Sequence, residues 1–353
     1  MKKADILILG AGLSGLTLNY LLRNSGLDVR IVEARDRIGG RILTNYKEAA
    51  PPVEMGATWL GRKHSSLFSL LQELDLDIFP QELGGKAIYE AISTSPFQLV
   101  TLPPNNDPSF RIKGGSSTLI NALAKYTQPE DLFLGQIVKS IQIGKDGCAV
   151  NTYQETFHAR FVVTTIPPFL LKRTVDFHPE LPSDLSEVMT STHTWMGESI
   201  KFGLVYSAPF WREKDTSGTV VSNVGPIPEM YDHSNFEDDS HAIKGFINPS
   251  FFPLSREERL NRILQQLEKY YGPVVHQYVD YQELVWSSEQ FTYVPYEKHI
   301  MPHQHNGHPV YRKGYFNDRL FISGSETAAS FPGYMDGAVE SARWVFEKIK
   351  KVT

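Results

Sequence analysis

Residues 6–9 form a continuous apolar run behind Asp5, and then the spacing changes. Leu13, Leu16, Tyr20 and Leu21 recur on one face at helical spacing, which predicts a helix packed on a sheet. A second apolar run, 29–33, ends on an acid, Glu33. Residues 1 to about 60 therefore read as a βαβ-like unit. Leu67, Leu70, Leu71 and Leu74 predict a further helix over 65–76. Residues 86–91 and 97–102 predict two antiparallel strands, and the PPNNDPS stretch after them is a loop. A helix follows the glycine pair at 114–115, and short strands are expected at 137–143, 148–153 and 161–165. The unbroken apolar character of the last one suits a parallel sheet buried on both faces.

Residues 166–310 differ in kind. Runs at 201–206, 218–223, 241–247 and 279–286 predict a mostly antiparallel sheet. A helix over 255–271 opens on a capping box, Ser255 with Glu258. The chain then returns to its opening pattern. Residues 319–324 read as a strand, and the closing helix buries Ala338, Ala342, Val345 and Ile349. The expected architecture is a split domain (1–83, 112–165 and 310–353) interrupted by a second one (84–111 and 166–309).

A chain of 353 residues is too long for one ordinary core and fits about two domains. A net charge of −5 gives no nucleic-acid footprint. One cysteine, Cys148, excludes an intrachain disulfide, and a reducing, cytoplasmic setting is the expectation. The apolar stretch after the first lysines is too short for a signal-peptide core, and no run reaches the length of a membrane span.

The first strand runs into Gly10-Ala-Gly12-Leu13-Ser14-Gly15. Gly10 permits a tight turn, Gly12 lets backbone approach a pyrophosphate, and Gly15 allows close helix–strand packing. The phosphates then sit at a helix N-terminus, where unpaired N–H groups and the helix dipole favour an anion. Glu33 lies 18 residues beyond Gly15, near the offset of an acid that binds ribose hydroxyls. These elements in this order point to a dinucleotide.

Longer stretches carry a resemblance. GAGLSGL, VEARDRIGGR (32–41), MGATWLG (55–61), KGGSSTL (113–119), IPP (166–168), ESIKFGLVYSAPFWR (198–212) and SGSETAASFPGYMDGAVESA (323–342) occur in family order over nearly the whole chain. The chain resembles the flavin-containing amine oxidases. That resemblance implies an α/β fold: a Rossmann-like, glutathione-reductase-type FAD domain with an inserted, mostly antiparallel substrate domain. It also implies that the two ends of the chain share one FAD site. Glu33, with Ala34 beside it, matches the ribose-binding acid. Arg35 and Arg41 match arginines beside the pyrophosphate, and Gly39 and Gly40 match backbone that passes close to the cofactor. Gly56, Ala57, Thr58 and Trp59 match a cofactor-binding segment, and Val138 a backbone contact to adenine. Gly324 and Glu326 match the late strand and its acid near the ribityl chain. Tyr334 and Met335 open a helix aimed at the pyrimidine end of the ring.

The same resemblance assigns Lys201 to a water at flavin N5, and Tyr334 to one wall of an aromatic cage flanking the amine. Counting from Trp286 without gaps places the other wall at Tyr296; one gap would place it at Tyr293. Such a pocket is expected to be apolar and poor in carboxylates, so that the amine arrives neutral. Pro295 stands where the monoamine oxidases attach FAD through cysteine, so FAD is expected to be non-covalent. The helical subdomain usual after the early hairpin is missing. The expected substrate path is therefore short and wide, bounded by 84–111, 290–310 and Tyr334, with self-association a way to cover it. His299, His303, His305 and His308 cluster in one loop with no evident partner to complete a metal site.

The expected activity is oxidation of a small-molecule amine by O2, through an imine to an aldehyde, with release of H2O2; the open path predicts self-association near it or a preference for bulky aromatic or long-chain amines over methylamine-sized ones. Three alternatives stay open. Arg62 or Lys63 could hold a carboxylate in an amino-acid oxidase. A wide apolar slot would suit a desaturase or porphyrinogen-type enzyme. An open face would suit an FAD-stabilised interaction protein.

Overall fold

The computed structural model describes residues 2–47 and 50–352. Its first sheet is built around two strands, Lys2–Leu9 and Thr156–Thr164, which run parallel in register from Lys2↔Phe157 to Leu9↔Thr164. Strand Val29–Val32 extends the sheet in parallel beyond Lys2–Leu9, with the two-residue Leu132–Phe133 outside it. On its other side, Thr156–Thr164 serves two partners. Its first half pairs antiparallel with Cys148–Thr152, and its second half parallel with Leu320–Ile322. Val138–Ile143 and then Asp176–His178 complete that edge.

Both faces of this sheet are covered, which is why residues 6–9 and 161–163 of its central strands are apolar at every position. Ile6, Ile8, Phe161 and Val163 face helices Leu13–Leu22, Ser117–Ala124 and Met335–Val352. Leu7, Leu9 and Val162 face the opposite way, onto Leu171, Leu185 and Met189 of helices Pro168–Thr174 and Ser183–Met189. The chain's two ends meet here. Ser14 Oγ lies 2.9 Å from Ser323 Oγ, which lies 2.7 Å from Ser341 Oγ of the last helix.

The second sheet has seven strands in the order Asp280–Val285, Ile200–Tyr206, His241–Ile247, Glu229–Asp232, Thr216–Ser222, Lys86–Glu90 and Gln98–Thr101. All neighbours are antiparallel except Thr216–Ser222 with Lys86–Glu90, where the early hairpin joins in parallel. Helix Arg256–Tyr271 packs Ile263, Leu264 and Leu267 on one face, against Phe202, Leu204 and Ile243. Its capping box forms as the sequence implies: Ser255 Oγ accepts the Glu258 N–H at 3.2 Å, and Glu258 Oε2 accepts the Ser255 N–H at 2.8 Å. The opposite face of the sheet turns toward Val53 and Met55 of the N-terminal region.

Three elements differ from expectation. Asp176–His178, expected in the inserted domain, is an edge strand of the first sheet, held by Val138–Ile143. Phe110–Ile112 forms a small sheet with Ile78–Pro80, too short to carry a sequence period. Glu229–Asp232 is a full member of the second sheet although Pro226 and Pro228 precede it. Among the described residues, no helix is long and apolar enough to cross a membrane.

Candidate functional site

A cavity of about 700 Å³ runs from the glycine turn to the inner face of the second sheet. A second, open groove of about 800 Å³ lies along residues 142–149 and 158–160 and contains none of the expected site residues.

The glycine turn is built as its sequence requires. Gly10 has φ +111°, a backbone conformation that side chains disfavour. A Cβ on Gly15 would stand 2.0 Å from the Gly10 carbonyl oxygen, so only glycine lets the helix start this close to the turn. Gly15 therefore shapes the site from behind, while Gly10, Gly12, Leu13 and Ser14 line it. The first-turn N–H groups of Leu13, Ser14 and Gly15 have no acceptor within their helix and form an anion seat. Glu33 is buried in the cavity wall, its Oε2 accepting the Ala11 N–H at 2.8 Å and its Oε1 the Arg35 N–H at 2.9 Å. Each oxygen keeps a lone pair for a ribose hydroxyl. Ala34, Gly39, Gly40 and Val138 line the same end. These residues fit the dinucleotide half of FAD.

The two arginines are less free than expected. Arg35 lines the cavity, but its guanidinium is committed to Glu289 Oε2 at 3.0 Å and Thr292 Oγ1 at 2.8 Å. Arg41 lines the cavity and grips Glu326 through Nη1–Oε1 at 2.6 Å and Nη2–Oε2 at 2.7 Å. Glu326 itself lies outside the lining, because the Arg41 guanidinium stands in front of it. Glu326, expected near the cofactor, is joined to the cavity wall through Arg41 and does not itself line the cavity. The arginine holds the Glu326 carboxyl below the usual carboxylate range against the opposing effect of burial.

At the other end, Gly56, Ala57, Thr58, Trp59, Lys201, Gly324, Tyr334 and Met335 line the cavity as expected. Lys201 rises from the inner face of its strand opposite Phe246. Its Nζ donates to the Gly56 carbonyl at 2.5 Å and lies 5.2 Å from the Phe246 ring centroid. Burial lowers the Lys201 pKa to about 8, with the Glu54 and Glu229 carboxylates opposing that shift. A second lysine, Lys244, stands behind it, fully buried. Its ammonium donates to Thr58 Oγ1 and lies 4.5 Å from the Trp59 ring centroid. Burial pushes Lys244 well down and the buried Glu54 up. The carboxylate-poor pocket needs one correction, since Glu229 lines the cavity within the field of both lysines.

Tyr296 is the expectation that the structure overturns. It does not line the cavity. Its hydroxyl accepts the Thr194 N–H at 2.9 Å, and its ring packs edge-on against Phe169 and Tyr293. Tyr293 does not replace it, because its hydroxyl is drawn to Glu198 at 2.8 Å. Val294 and Thr292 line the cavity instead. Nor does the 84–111 hairpin bound the cavity, since it lies at the far edge of the second sheet. Arg62 and Lys63 are exposed and outside the lining, with Arg62 over the Phe110 ring. His303 stacks on Trp195 at 3.8 Å and lies nearly parallel to Tyr334 at 6.0 Å, while Trp195 itself meets Tyr334 at 5.9 Å.

Trp195, Glu229 and Phe246 were not foreseen. Phe246 could have been found by pairing Lys201 across the strands, but that requires the register. Trp195 sits in the irregular 190–199 segment, where no period exists to be read.

Comparison with known proteins agrees with this site. The profile described as flavin containing amine oxidoreductase matches residues 13–94 and 81–345. A probable flavin-containing monoamine oxidase A of Dictyostelium discoideum is 26% identical, over 98% of this chain and 97% of its own. Amine oxidase [flavin-containing] B of Homo sapiens is 25% identical, over 96% and 85% respectively. Each alignment is longer than this chain, so the relatives carry segments with no counterpart here. Among solved structures, putrescine oxidase bound to putrescine superposes with a TM-score of 0.86 at 24% identity, covering 99% of both chains. Cyclohexylamine oxidase from Brevibacterium oxydans gives 0.85 at 19%, covering 98% of this chain and 99% of its own. With a cavity whose lining suits a dinucleotide and a family profile spanning most of its length, this chain belongs to the flavin-containing amine oxidoreductases, FAD enzymes that oxidise amines.

Proposed function

We propose that this chain removes a hydride equivalent from the carbon next to an amine nitrogen. The imine formed hydrolyses to an aldehyde and an amine or ammonia, and O2 is reduced to H2O2. The observation that carries the reading is Lys201, buried in a cavity that reaches continuously from Glu33 to Tyr334. When bound, FAD supplies the two-electron acceptor. The Gly10–Gly15 turn holds its phosphates and Glu33 its ribose, while Arg41, fixed by Glu326, supplies a positive wall. Lys201 spends one N–H on Gly56 and keeps the others for a water or oxygen ligand. The Lys201 ammonium disfavours a second cation close by, which helps the substrate bind as the free amine. Trp59, Phe246 and Tyr334 give the cavity its apolar aromatic walls.

The division into an FAD domain (1–83, 112–165, 310–353) and a substrate domain (84–111, 166–309) is part of the same proposal. It is supported by the two sheets, with the exception of Asp176–His178. An assay for peroxide across primary amines, polyamines and amino acids tests the reading. Turnover of amines supports it. Turnover confined to amino acids, or absent throughout, overturns it.

A further inference from the structure

The cavity does not end at Glu33. Beside that carboxylate its lining continues through Gln136, Ile137 and Val138 to Tyr153, in the turn between strands Cys148–Thr152 and Thr156–Thr164. At 70% exposed, Tyr153 is the most exposed of the large apolar side chains among the described residues. It belongs to none of the motifs that point to the cofactor. The Lys139 ammonium lies 5.8 Å from its ring centroid, at the outer limit of a cation–π contact. The ring thus presents apolar surface to a cavity, and a flat group laid on it would take that surface out of water.

Backbone hydrogen bonds set where this ring stands. The Gln136 N–H donates to the Glu33 carbonyl at 2.8 Å, and the Gly135 N–H to the Arg35 carbonyl at 2.8 Å. One segment further out, the Tyr153 N–H donates to the Ile137 carbonyl at 3.2 Å. Gln154 Nε2 adds a bond to the Gly135 carbonyl at 2.7 Å, and Thr152 Oγ1 lies 2.8 Å from Gln136 Oε1. The 152–154 turn is therefore fastened to the segment that is itself fastened to Glu33. That order matches the order of groups in the cofactor. In FAD the adenosine ribose lies between the pyrophosphate and the adenine. With phosphates at the Gly10–Gly15 turn and ribose at Glu33, the base continues away from the turn, to the lining formed by 136–138 and Tyr153.

The geometry points to Tyr153 as the residue on which the adenine of FAD stacks, a contact that selects the dinucleotide over flavin mononucleotide. Every base has a π-face, so one aromatic ring can hold it without a further polar contact. The inference rests on Glu33 as the ribose acid and is independent of which amine is oxidised.

The test titrates full-length protein freed of flavin with FAD and with FMN, by flavin fluorescence, and then displaces FAD with ADP. In Tyr153→Ala the FAD Kd is expected to rise roughly tenfold or more, the scale of one base stacked on one aromatic ring. ADP carries the adenosine without the flavin and should weaken by the same factor. FMN lacks the adenosine and should not change. Tyr153→Phe keeps the ring and should bind FAD as the unaltered protein does. Nitration by tetranitromethane adds a check without substitution: ADP should protect Tyr153, while Tyr126, exposed and outside the cavity, stays reactive. An unchanged FAD Kd in Tyr153→Ala, with ADP still displacing FAD, overturns the stacking and leaves Glu33 at the ribose. Equal weakening of FAD and FMN also overturns it, because the turn then has a structural role only. Failure of ADP to displace FAD from the unaltered protein overturns both.

Discussion

Arg41 and Glu326 are 285 positions apart in the chain and are joined by two nearly parallel hydrogen bonds of 2.6 and 2.7 Å. Ser325 Oγ and the Trp195 carbonyl take the remaining reach of the guanidinium. One residue pair thereby ties the glycine-rich N-terminal segment, the end of the closing strand and the substrate-side wall into a single unit. The planar fork of arginine makes this possible; an ammonium could not meet all four acceptors in one plane.

Replacing Arg41 by methionine should therefore cost about 3–5 kcal/mol, because Glu326 is left buried and unpaired. The sign of its pH dependence should also reverse. In the unaltered protein Glu326 titrates below its ordinary 4.5, so its stabilisation is present above that value and is lost as pH falls through the lower, folded-state pKa. Without Arg41, burial dominates, the carboxyl titrates above 4.5, and the stability contribution declines as pH rises through that range. Urea unfolding from pH 3 to pH 7 measures both slopes. Equal slopes in the two proteins would show that the pair carries no buried charge.

Replacing Gly15 by alanine should empty the FAD site before it unfolds the protein. The new methyl would fall 2.0 Å from a backbone oxygen, and backbone cannot rotate aside as a side chain can. A shift of the turn costing about 1–3 kcal/mol would weaken FAD by roughly ten- to hundredfold. Flavin absorbance per mole of purified protein, with circular dichroism as the fold control, decides it. Full flavin content would mean that the helix start can slide.

The part of the site that sequence could disclose is the part that is contiguous in the chain. Gly10 to Glu33 form one strand–helix–strand unit, so their spacing carries the geometry. Lys201 was recoverable from its motif, but Phe246 and Glu229 reach the cavity only through strand pairing. That pairing sets Lys201 opposite Phe246 and places Glu229 on the next strand over. Tyr296 failed for a physical reason: a fixed count from Trp286 cannot say which way a loop residue turns. Here the Thr194 N–H offered its hydroxyl a partner away from the cavity. The covering role given to the 84–111 hairpin failed similarly, because edge pairing with Thr216–Ser222 carried it away.

FAD should leave the protein on denaturation. Pro295 has no nucleophile, and the sole cysteine, Cys148, lies on a strand of the first sheet outside the cavity. Burial also raises that thiol to about 11, so little thiolate exists at neutral pH. After acid precipitation all of the yellow colour should be in the supernatant. Flavin retained on a peptide in the pellet would require an attachment residue not considered above.

Lys201 yields a test in which removing a residue of the site should stabilise the protein. Its ammonium is buried, and burial lowers its pKa from 10.5 to about 8. Between those values the unfolded chain binds a proton that the folded one does not, so stability gains from pH 8 to pH 10.5. Below pH 8 the folded state bears the full cost of the buried charge, on the order of 3 kcal/mol. Lys201→Met removes that cost, so it should raise stability at pH 7 and lose the advantage by pH 10.5. The same titration should appear in function, as an inflection near pH 8 in flavin reoxidation by O2. That inflection should stay in place when the substrate amine is exchanged for one of different basicity, and should vanish in Lys201→Met, with FAD still bound. Stopped-flow reoxidation and urea unfolding at pH 7 and 10 supply the two measurements. A methionine variant that reoxidises at the unaltered rate and is no more stable at pH 7 would place the Lys201 ammonium in water, outside the chemistry.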